Sequence, residues 1–416
     1  MSIALEASCP VEPGEGVGPF RLGMSLHSVL QMLRRTSMTV GDKSLRPEEA
    51  RNLLTQVVFS RESPNEKPII LDVQQLGLRL RFEPKLQRLY LIDIYDISRL
   101  GLAFHGHVFG GYRSDTEAAS LRQLYGILGV THSGQRHPEL SDDAYCLQYP
   151  GLLTAFRVPA GRGDLAFSGG IPLVLEDGSS PRMMRLVVHD IDYPRAPSRF
   201  LNTAARSVEV LIRDDKPAEI LFRNFDDEVL VIGETTCQDV LSILGSPTRT
   251  HIKRSEPVSV MKRGNDDGED YFLNYCDVGV DLLFDGRKHV LRKTILRTNL
   301  PCHSMFGEYS KCSFVIKFVD APVRKTLQNS KPKKGASFEE LLTGQASTPI
   351  GRSQDKVIAS DDHWVLIANK LNLTNEKPMV LERAEQPFGS CHLFGVKHCV
   401  FEIDTRSGAI CSLTVS

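Results

Sequence analysis

The chain has 416 residues, of which 41% are hydrophobic, and its 50 lysines and arginines almost balance its 51 aspartates and glutamates. This composition is typical of a globular protein, and it excludes both a disordered chain and a protein that binds nucleic acid through its overall charge. At roughly 100–200 residues per domain, the length predicts two to four units that each bury a core.

Residues 1–17 are predicted to form an N-terminal tail. The segment has no basic region, and Glu6 and Glu12 stand where a signal peptide would be apolar. No uninterrupted stretch of about 18 apolar residues follows, so no transmembrane segment is predicted. We therefore expect a cytoplasmic protein.

Four segments carry apolar residues at the i, i+3, i+4 spacing of a helix with one buried face. They are MSLHSVLQMLRR (24–35), DTEAASLRQLYGILG (115–129), TTCQDVLSILG (235–245) and DDHWVLIANKL (361–371). In the third segment, Thr236 and Asp239 have the spacing of a capping box, and Gly245 is typical of a helix end. Helices this short are unstable in water without a sheet beneath them, and Trp364 is predicted to anchor the last one in a core.

A strand pattern follows each helix, with a glycine near its start and a phenylalanine at its end. The four strands are predicted at Leu76–Phe82, Pro150–Phe156, Val278–Phe284 and Phe394–Phe401. The glycine and the phenylalanine are five residues apart in the first three strands and six apart in the last, which predicts a bulge or a slipped register there. A turn and a returning antiparallel strand are predicted after Phe82, Phe284 and Phe401.

These patterns predict an α+β fold made of four related units, each with a short helix packed on an antiparallel meander. The unit boundaries are 18–111, 112–232 with extra strands, 233–320 and 361–416. Residues 321–360 are predicted to be a flexible basic insertion, because the basic residues from Arg324 to Lys334 precede its first acidic residue, Glu339.

Nine cysteines are scattered along the chain without a CxxC pair. Their apolar surroundings predict reduced cysteines in the core, and the alternative is a disulfide or metal framework. Metal-ligand residue types stand side by side at 302–303, 391–392 and 398–399, but adjacent strand residues point to opposite faces and cannot hold one ion. The sequence therefore predicts no metal and no cofactor.

Motifs for catalysis are missing from the sequence as well. It contains neither the GxSxG pattern of an activated serine nor the GxxxxGK[ST] pattern of a phosphate-binding loop. Its acidic pairs, such as Asp361 and Asp362, are typical of solvated turns rather than of a general acid in an apolar setting. We therefore predict no enzymatic activity and no catalytic residues.

The positive charge is concentrated in the third unit. Basic residues crowd one predicted hairpin and the segment before it: Lys253, Arg254, Arg287, Lys288, Arg292, Lys293 and Arg297. A shared cationic face would attract anionic lipid headgroups, with about 1 kcal/mol for each basic residue near the surface. The alternative is a solvated strand face that binds nothing.

Five blocks of the sequence resemble one protein family. They are GPFRLGMSLHSVLQML (18–33), TCQDVLSILGSPTR (236–249), DYFLNYCDVGVDLLFD (270–285), LRTNLPCHSMFGEYSKCSFVI (296–316) and EKPMVLERAEQPFGSCHLFGVKHCVFEI (376–403). In this order, between Gly18 and Val415, the chain resembles the phagosome assembly factor 1 family of eukaryotic cytosolic proteins. The basic insertion and the lack of the polar C-terminal tail of some members are departures from the family pattern.

The resemblance implies a non-enzymatic adaptor in autophagy and membrane traffic. It implies a WD40 β-propeller protein as the partner, contact with phosphoinositide membranes, and recruitment to the sites where autophagosomes form. The family has no established catalytic residues, so none is carried over to this chain. Nucleic acid is not an expected partner.

A function of a different class stays open at this point. The protein would then bind a lipid or a small molecule, or act as a cryptic enzyme, in a pocket between helix and sheet. His303, Tyr309 and Asn274 are the polar residues that such a pocket would bring together. A third interpretation treats the four units as packing modules alone.

Overall fold

The computed structural model describes residues 9–40, 55–109, 119–132, 134–135, 144–158, 170–190, 207–223, 228–253, 268–319, 356–373, 376–382 and 389–416. Over these residues the chain forms four α-helices and 25 strands, and the strands belong to four sheets that are mostly antiparallel. The α+β class predicted from the sequence is therefore confirmed. In this part of the chain, no helix combines the length and the apolar character that crossing a membrane requires.

The helices and strands fall into a first half, residues 9–190, and a second half, residues 207–416. The helices are α1 (Leu26–Val40), α2 (Leu121–Leu128), α3 (Cys237–Leu244) and α4 (Trp364–Leu371). The strands of the first half are β1 (Cys9–Glu12), β2 (Gly16–Val17), β3 (Phe20–Arg21), β4 (Gln56–Val58), β5 (Ile69–Val73), β6 (Leu78–Phe82), β7 (Leu89–Ile94), β8 (Leu102–Phe104), β9 (His107–Phe109), β10 (Ala144–Tyr149), β11 (Leu152–Arg157) and β12 (Met183–His189). Those of the second half are β13 (Ser207–Arg213), β14 (Glu219–Phe222), β15 (Glu228–Val231), β16 (Arg249–Ile252), β17 (Tyr271–Tyr275), β18 (Val280–Phe284), β19 (Leu291–Arg297), β20 (Ser313–Val319), β21 (Lys356–Ala359), β22 (Met379–Leu381), β23 (Cys391–Val396), β24 (Cys399–Asp404) and β25 (Ile410–Val415).

Both halves arrange their sheets in the same way. The first half contains a five-stranded sheet, β3-β2-β1-β8-β9, and a seven-stranded sheet, β4-β5-β6-β7-β12-β11-β10. The second half contains a five-stranded sheet, β15-β14-β13-β20-β21, and an eight-stranded sheet, β16-β17-β18-β19-β25-β24-β23-β22. The strand orders correspond one to one, apart from β22 as an additional edge strand. Each half buries its own large apolar core.

Each helix begins against a turn of the sheet that it covers. The first residue of each helix donates its backbone N–H to a carbonyl just before the strand that closes the meander: Leu26 to Gln87, Leu121 to Pro181, Cys237 to His289 and Trp364 to Gly408, all at 2.8–2.9 Å. The first N–H groups of a helix have no partner inside the helix, so these bonds satisfy one of them and fix the helix over its sheet. The capping box predicted for Thr236 and Asp239 is present at α3, and the Trp364 ring stacks on Phe394 with 3.8 Å between ring centroids.

The same irregularity recurs in four hairpins. The strand register shifts between Arg81 and Phe82, Ala155 and Phe156, Leu283 and Phe284, and Glu402 and Ile403. The last hairpin therefore carries isoleucine at the bulge, and the predicted strand Phe394–Phe401 is wrong. Its first residues end β23, and Lys397 makes the turn into β24 with a φ of 52°. A turn residue in this left-handed conformation is usually glycine, so a lysine there does not mark the turn in the sequence. Gly395, which lies within β23, instead suggests the start of the strand.

Strand pairing crosses the predicted unit boundaries. β7 of the first predicted unit pairs with β12 of the second, and β19 of the third pairs with β25 of the fourth. The structure thus shows two halves, and within each half two of the predicted units contribute strands to the same sheet. The division into four related units stays a prediction.

Three predicted boundaries need correction. Residues 9–12 and 16–17 of the predicted tail form β1 and β2, and β13–β15, assigned to the second unit, pack in the core of the second half. Residues 356–359 of the predicted insertion form β21, whereas 321–355 lie outside the described residues. Both five-stranded sheets depend on a parallel pair, β1 with β8 and β13 with β20. Pairing between strands this distant in sequence leaves no local pattern to read.

Candidate functional site

Six of the seven basic residues predicted to form a binding face lie on the meander from β16 to β19. Along the chain they are Lys253 after β16, Arg287 and Lys288 in the turn between β18 and β19, and Arg292, Lys293 and Arg297 on β19. Arg254 lies outside the described residues.

The turn between β18 and β19 is shaped by Asp285 and Gly286. One carboxylate oxygen of Asp285 accepts the backbone N–H groups of Lys288 and Arg287, each at 2.9 Å, and these two bonds lower the pKa of Asp285. Gly286 packs so closely on the backbone of residues 268–269 that any side chain there would overlap it. The turn is therefore held beside the segment that enters β17, with Arg287 and Lys288 exposed.

Asp270 brings Lys253 and Arg292 to the same end of the meander. The backbone N–H of Lys253 donates to the carbonyl of Asp270 at 2.8 Å, and the Arg292 guanidinium lies 2.8 Å from the Asp270 carboxylate. The Arg292 side chain is 55% exposed, so this ion pair contributes little to stability. It does offset the charge of Arg292 at the surface. We define the basic tip as Lys253, Arg287 and Lys288, the exposed residues of the predicted face outside this ion pair.

Arg297 does not contribute its charge to the predicted cationic face. Its Nε and Nη2 atoms lie 2.9 and 2.8 Å from Oδ2 of Asp281, whose side chain is only 2% exposed. The guanidinium also covers the ring of Tyr309, at 5.3 Å from the ring centroid. An arginine satisfied in this way has a role in packing, and its charge is balanced before any ligand arrives.

The polar residues proposed for a pocket do not converge on one site. Asn274 donates to Asp281 at 2.6 Å and to the Tyr309 hydroxyl at 3.3 Å, in the cluster that also holds Arg297. Burial raises the pKa of Tyr309, and the nearby Asp281 charge raises it further. His303 contacts a different set of residues, with Glu402 at 3.2 Å. A groove in the first half, lined by residues 10–13 and 103–106, includes none of the three.

A segment without a predicted role joins the two halves. Residues 298–312, between β19 and β20, form what we call the junction segment. Its Asn299 exchanges hydrogen bonds with Gln87 of the first half, at 2.7 Å between the side chains and 3.0 Å to the Asn299 carbonyl. The Asn299 side-chain oxygen also accepts the backbone N–H of Gly307 at 2.7 Å. Both amide side chains are buried, so this network is dry and specific.

Helix α1 supplies the other side of the same contact. A ring nitrogen of the buried His27 lies 3.1 Å from the carbonyl of Gly307, and Arg34 binds Glu308 at 2.8 Å. Phe306 packs against the core of the first half. A Cβ atom at position 307 would lie 2.9 Å from Cδ1 of Leu30, so the Leu30 side chain would have to shift to admit it.

Sequence reasoning placed this segment in a block of family resemblance, residues 296–316, but gave it no structural role. The available signal was a run of Asn, Pro, Gly and Tyr between two clear strands, without the period of a helix or a strand. Such a run reads as an ordinary loop. Its partners lie more than 200 positions away in the chain, and only the tertiary structure identifies them.

Comparison with known proteins gives matches along nearly the whole chain. The family model described as phagosome assembly factor 1 (PHAF1) matches residues 16–416. The chain is 26% identical to a PHAF1 protein of Arabidopsis thaliana, in an alignment that covers 97% of this chain and 92% of the relative. It is 27% identical to a PHAF1 protein of Drosophila melanogaster, with 85% and 83% covered, and 23% identical to one of Caenorhabditis elegans, with 95% and 90% covered. No solved structure matches the chain.

Proposed function

The chain belongs to the phagosome assembly factor 1 family, and on this premise we propose that it is a non-enzymatic adaptor in phagosome and autophagosome assembly. The family match over residues 16–416 is the observation that carries the proposal. The sequence offers no catalytic motif that would add an activity to this role. The adaptor acts in the cytoplasm and is recruited to the sites where autophagosomes form.

The proposed protein partner is a WD40-type β-propeller, as the family resemblance implies. Exposed apolar residues support a protein contact in the second half: Val365 and Leu366, in the first turn of α4, are 57% and 53% exposed. They are followed in the chain by Met379 and Val380 on the edge strand β22, which are also exposed. Apolar side chains beside an open sheet edge are typical of surfaces that bind another protein.

Affinity purification from cells tests the partner. We expect the tagged chain to recover a WD40-type protein, and a Val365→Asp/Leu366→Asp variant to recover at least about tenfold less, as for an interface hot spot. The matched control is Val130→Asp/Val174→Asp, which adds the same charges at exposed valines of the first half. Recovery of no WD40 protein by the native chain would refute this part of the proposal.

The proposed membrane contact is the basic tip. Arg287 and Lys288 project from a turn whose shape is set by Asp285, and Lys253 lies beside them through Asp270. Basic residues near an anionic surface contribute about 1 kcal/mol each, so this contact is weak by itself. It would act together with the protein partner.

Vesicle sedimentation tests the membrane contact. Arg287→Glu/Lys288→Glu is expected to weaken binding to phosphatidylcholine vesicles that contain phosphatidylinositol phosphate by at least about tenfold. Lys67→Glu/Lys216→Glu makes the same change of net charge at exposed turns elsewhere and should retain binding. If both variants behave alike, the basic tip has no specific role.

A further inference from the structure

Three metal-ligand side chains meet where the junction segment covers the eight-stranded sheet. His303 belongs to the junction segment, Cys391 opens β23 and Cys411 lies on β25. One potential ligand atom from each lies within 4.8 Å of the other two, and all three residues are buried. The sequence suggested the neighbouring pairs at 302–303 and 391–392, and a site combining several pairs was the disfavoured alternative. It did not identify this combination, because the fold assembles it.

The spacing of the sulfur atoms fits a zinc ion. The Sγ atoms of Cys391 and Cys411 are 4.0 Å apart, and in a tetrahedral site with Zn–S bonds of about 2.3 Å two sulfurs lie about 3.8 Å apart. Two thiolates and an imidazole are a ligand set that selects zinc over magnesium or calcium. We propose that His303, Cys391 and Cys411 bind one zinc ion, which links the junction segment to the last sheet.

Glu402 is placed to complete this site. Its carboxylate lies 3.2 Å from Nε2 of His303, and its other oxygen accepts a hydrogen bond from the Ser412 hydroxyl at 2.7 Å. The other ring nitrogen of His303, Nδ1, accepts the backbone N–H of Met305 at 3.2 Å, and an ion bound at Nδ1 would replace this bond. The carboxylate at Nε2 would then orient the imidazole, as the carboxylate partner does in histidine–zinc sites. Asp404 is buried on the same strand and is held by the Ser407 hydroxyl and N–H. A divalent cation beside two buried carboxylates lowers the electrostatic cost of their burial.

The proposed ion has a structural consequence. The junction segment contacts the first half through Asn299, Gly307 and Glu308, and His303 lies between these residues in the chain. A metal bond at His303 would fasten the segment to β23 and β25, and so would hold in place the surface on which the first half rests. The site is closed by protein side chains, as in structural rather than catalytic zinc sites.

Metal analysis of the purified full chain tests the proposal. After incubation with Zn²⁺ and removal of loosely bound ions with a mild chelator, we expect one zinc per chain by inductively coupled plasma mass spectrometry. Substitution with Co²⁺ should give the visible absorption of tetrahedral cobalt and a thiolate-to-cobalt charge-transfer band. Cys391→Ser and Cys411→Ser should lose both signals. Glu402→Gln keeps the three ligands and should weaken zinc binding about 10- to 100-fold.

Cys399→Ser is the matched control, because Cys399 is equally buried on the intervening strand β24 but is not part of the cluster. It should keep one zinc and the cobalt spectrum, which separates loss of a ligand from the general cost of a polar group in the core. The proposal is overturned if the native chain holds no more zinc than a Cys391→Ser/Cys411→Ser variant. It is also overturned if Cys391 and Cys411 are joined by a disulfide in the chain purified from cytosol.

Discussion

Arg292 and Arg297 lie on the same strand, yet their charges meet different surroundings. Arg292 is mostly exposed and pairs with Asp270 at the surface, whereas Arg297 binds the buried Asp281 through two of its nitrogens. The difference follows from their positions at opposite ends of β19. Arg292 lies next to the turn at Gly286, whereas Arg297 lies over the ring of Tyr309 in the junction segment. Counting basic residues in the sequence therefore overestimates the charge that this surface presents.

Asp281→Ala should lower the free energy of unfolding by about 3 kcal/mol, because the Arg297 side chain, which is only 18% exposed, loses the partner that balances its charge. Arg292→Ala removes an exposed ion pair and should change it by no more than about 1 kcal/mol. Urea denaturation of the two variants measures the difference. Equal effects would contradict the assignment of Arg297 to the interior.

Lys311 at the end of the junction segment is a cation in an unfavourable place. Its ammonium nitrogen lies 3.3 Å from the side-chain oxygen of Asn65, and burial lowers its pKa to about 8, although nearby Asp361 and Glu83 act in the opposite direction. Between that pKa and the ordinary lysine pKa of about 10.4, the unfolded chain binds the proton and the folded chain does not. This group therefore makes the protein more stable as the pH rises through that range.

Lys311→Met should stabilise the protein at pH 7, where the half-buried lysine of the native chain is charged. The advantage should shrink as the pH approaches about 10, because the native lysine is then neutral in the folded chain. Urea denaturation of both proteins at the two pH values measures the trend. Lys216→Met, at an exposed turn, should show no such dependence, and an advantage for Lys311→Met that grows with pH would contradict the argument.

At the scale of elements, the hairpins share a bulge, and three of them also share a glycine turn just before their first strand. Gly77, Gly151 and Gly279 precede β6, β11 and β18, and all three have positive φ angles. At Gly279 the chain also touches the junction segment, because a methyl group there would overlap the carbonyl of Ser310. Gly279 is therefore required for two reasons: its positive φ favours glycine, and a side chain would overlap the junction segment.

Gly279→Ala and Gly178→Ala separate these two requirements. Their φ angles are 79° and 81°, but no atom lies near the position of an added methyl group at Gly178. The positive φ disfavours alanine at both positions, so Gly279→Ala should destabilise the protein by about 1–3 kcal/mol more, the cost of overpacking. Thermal or urea unfolding of the pair measures this difference. Equal destabilisation would show that the junction segment yields to the methyl group.

At the scale of the whole molecule, a small buried network joins the two halves, and no sheet formed by the described residues runs through both. Gln87 and Asn299 satisfy each other across the contact, and Asn299 also accepts the N–H of Gly307. Exposed pairs such as Lys85 with Asp361 surround it. A chain built in this way presents its two halves in a defined orientation, which a binding surface that extends over both would require.

Asn299→Leu should weaken this contact, because it leaves Oε1 of the buried Gln87 and the Gly307 N–H without their partners at about 1–3 kcal/mol for each. Hydrogen exchange should become faster in α1 and in residues 299–308 than in the sheet cores. Lys85→Met removes only an exposed pair and should leave the exchange pattern unchanged. Uniform acceleration over both halves would indicate global destabilisation instead.

The sequence by itself determined what depends on neighbours along the chain. The helix period, the capping box at Thr236 and Asp239, the core position of Trp364, the α+β class and the family all follow from local pattern or from resemblance. The helices and hairpins are predictable because their interactions are short-range: the residues that specify a helix turn or a hairpin lie within that element.

Only the tertiary structure decided what depends on distant residues. It paired β1 with β8 and β13 with β20, withdrew Arg297 from the basic face, and brought His303 to Cys391 and Cys411. The Phe394–Phe401 strand was also misread, because Lys397 adopts a turn conformation that sequence reasoning expects of glycine. The strand pairings, the Arg297 contact and the His303 cluster join segments that only the packing of the whole chain brings together, so no local pattern records them.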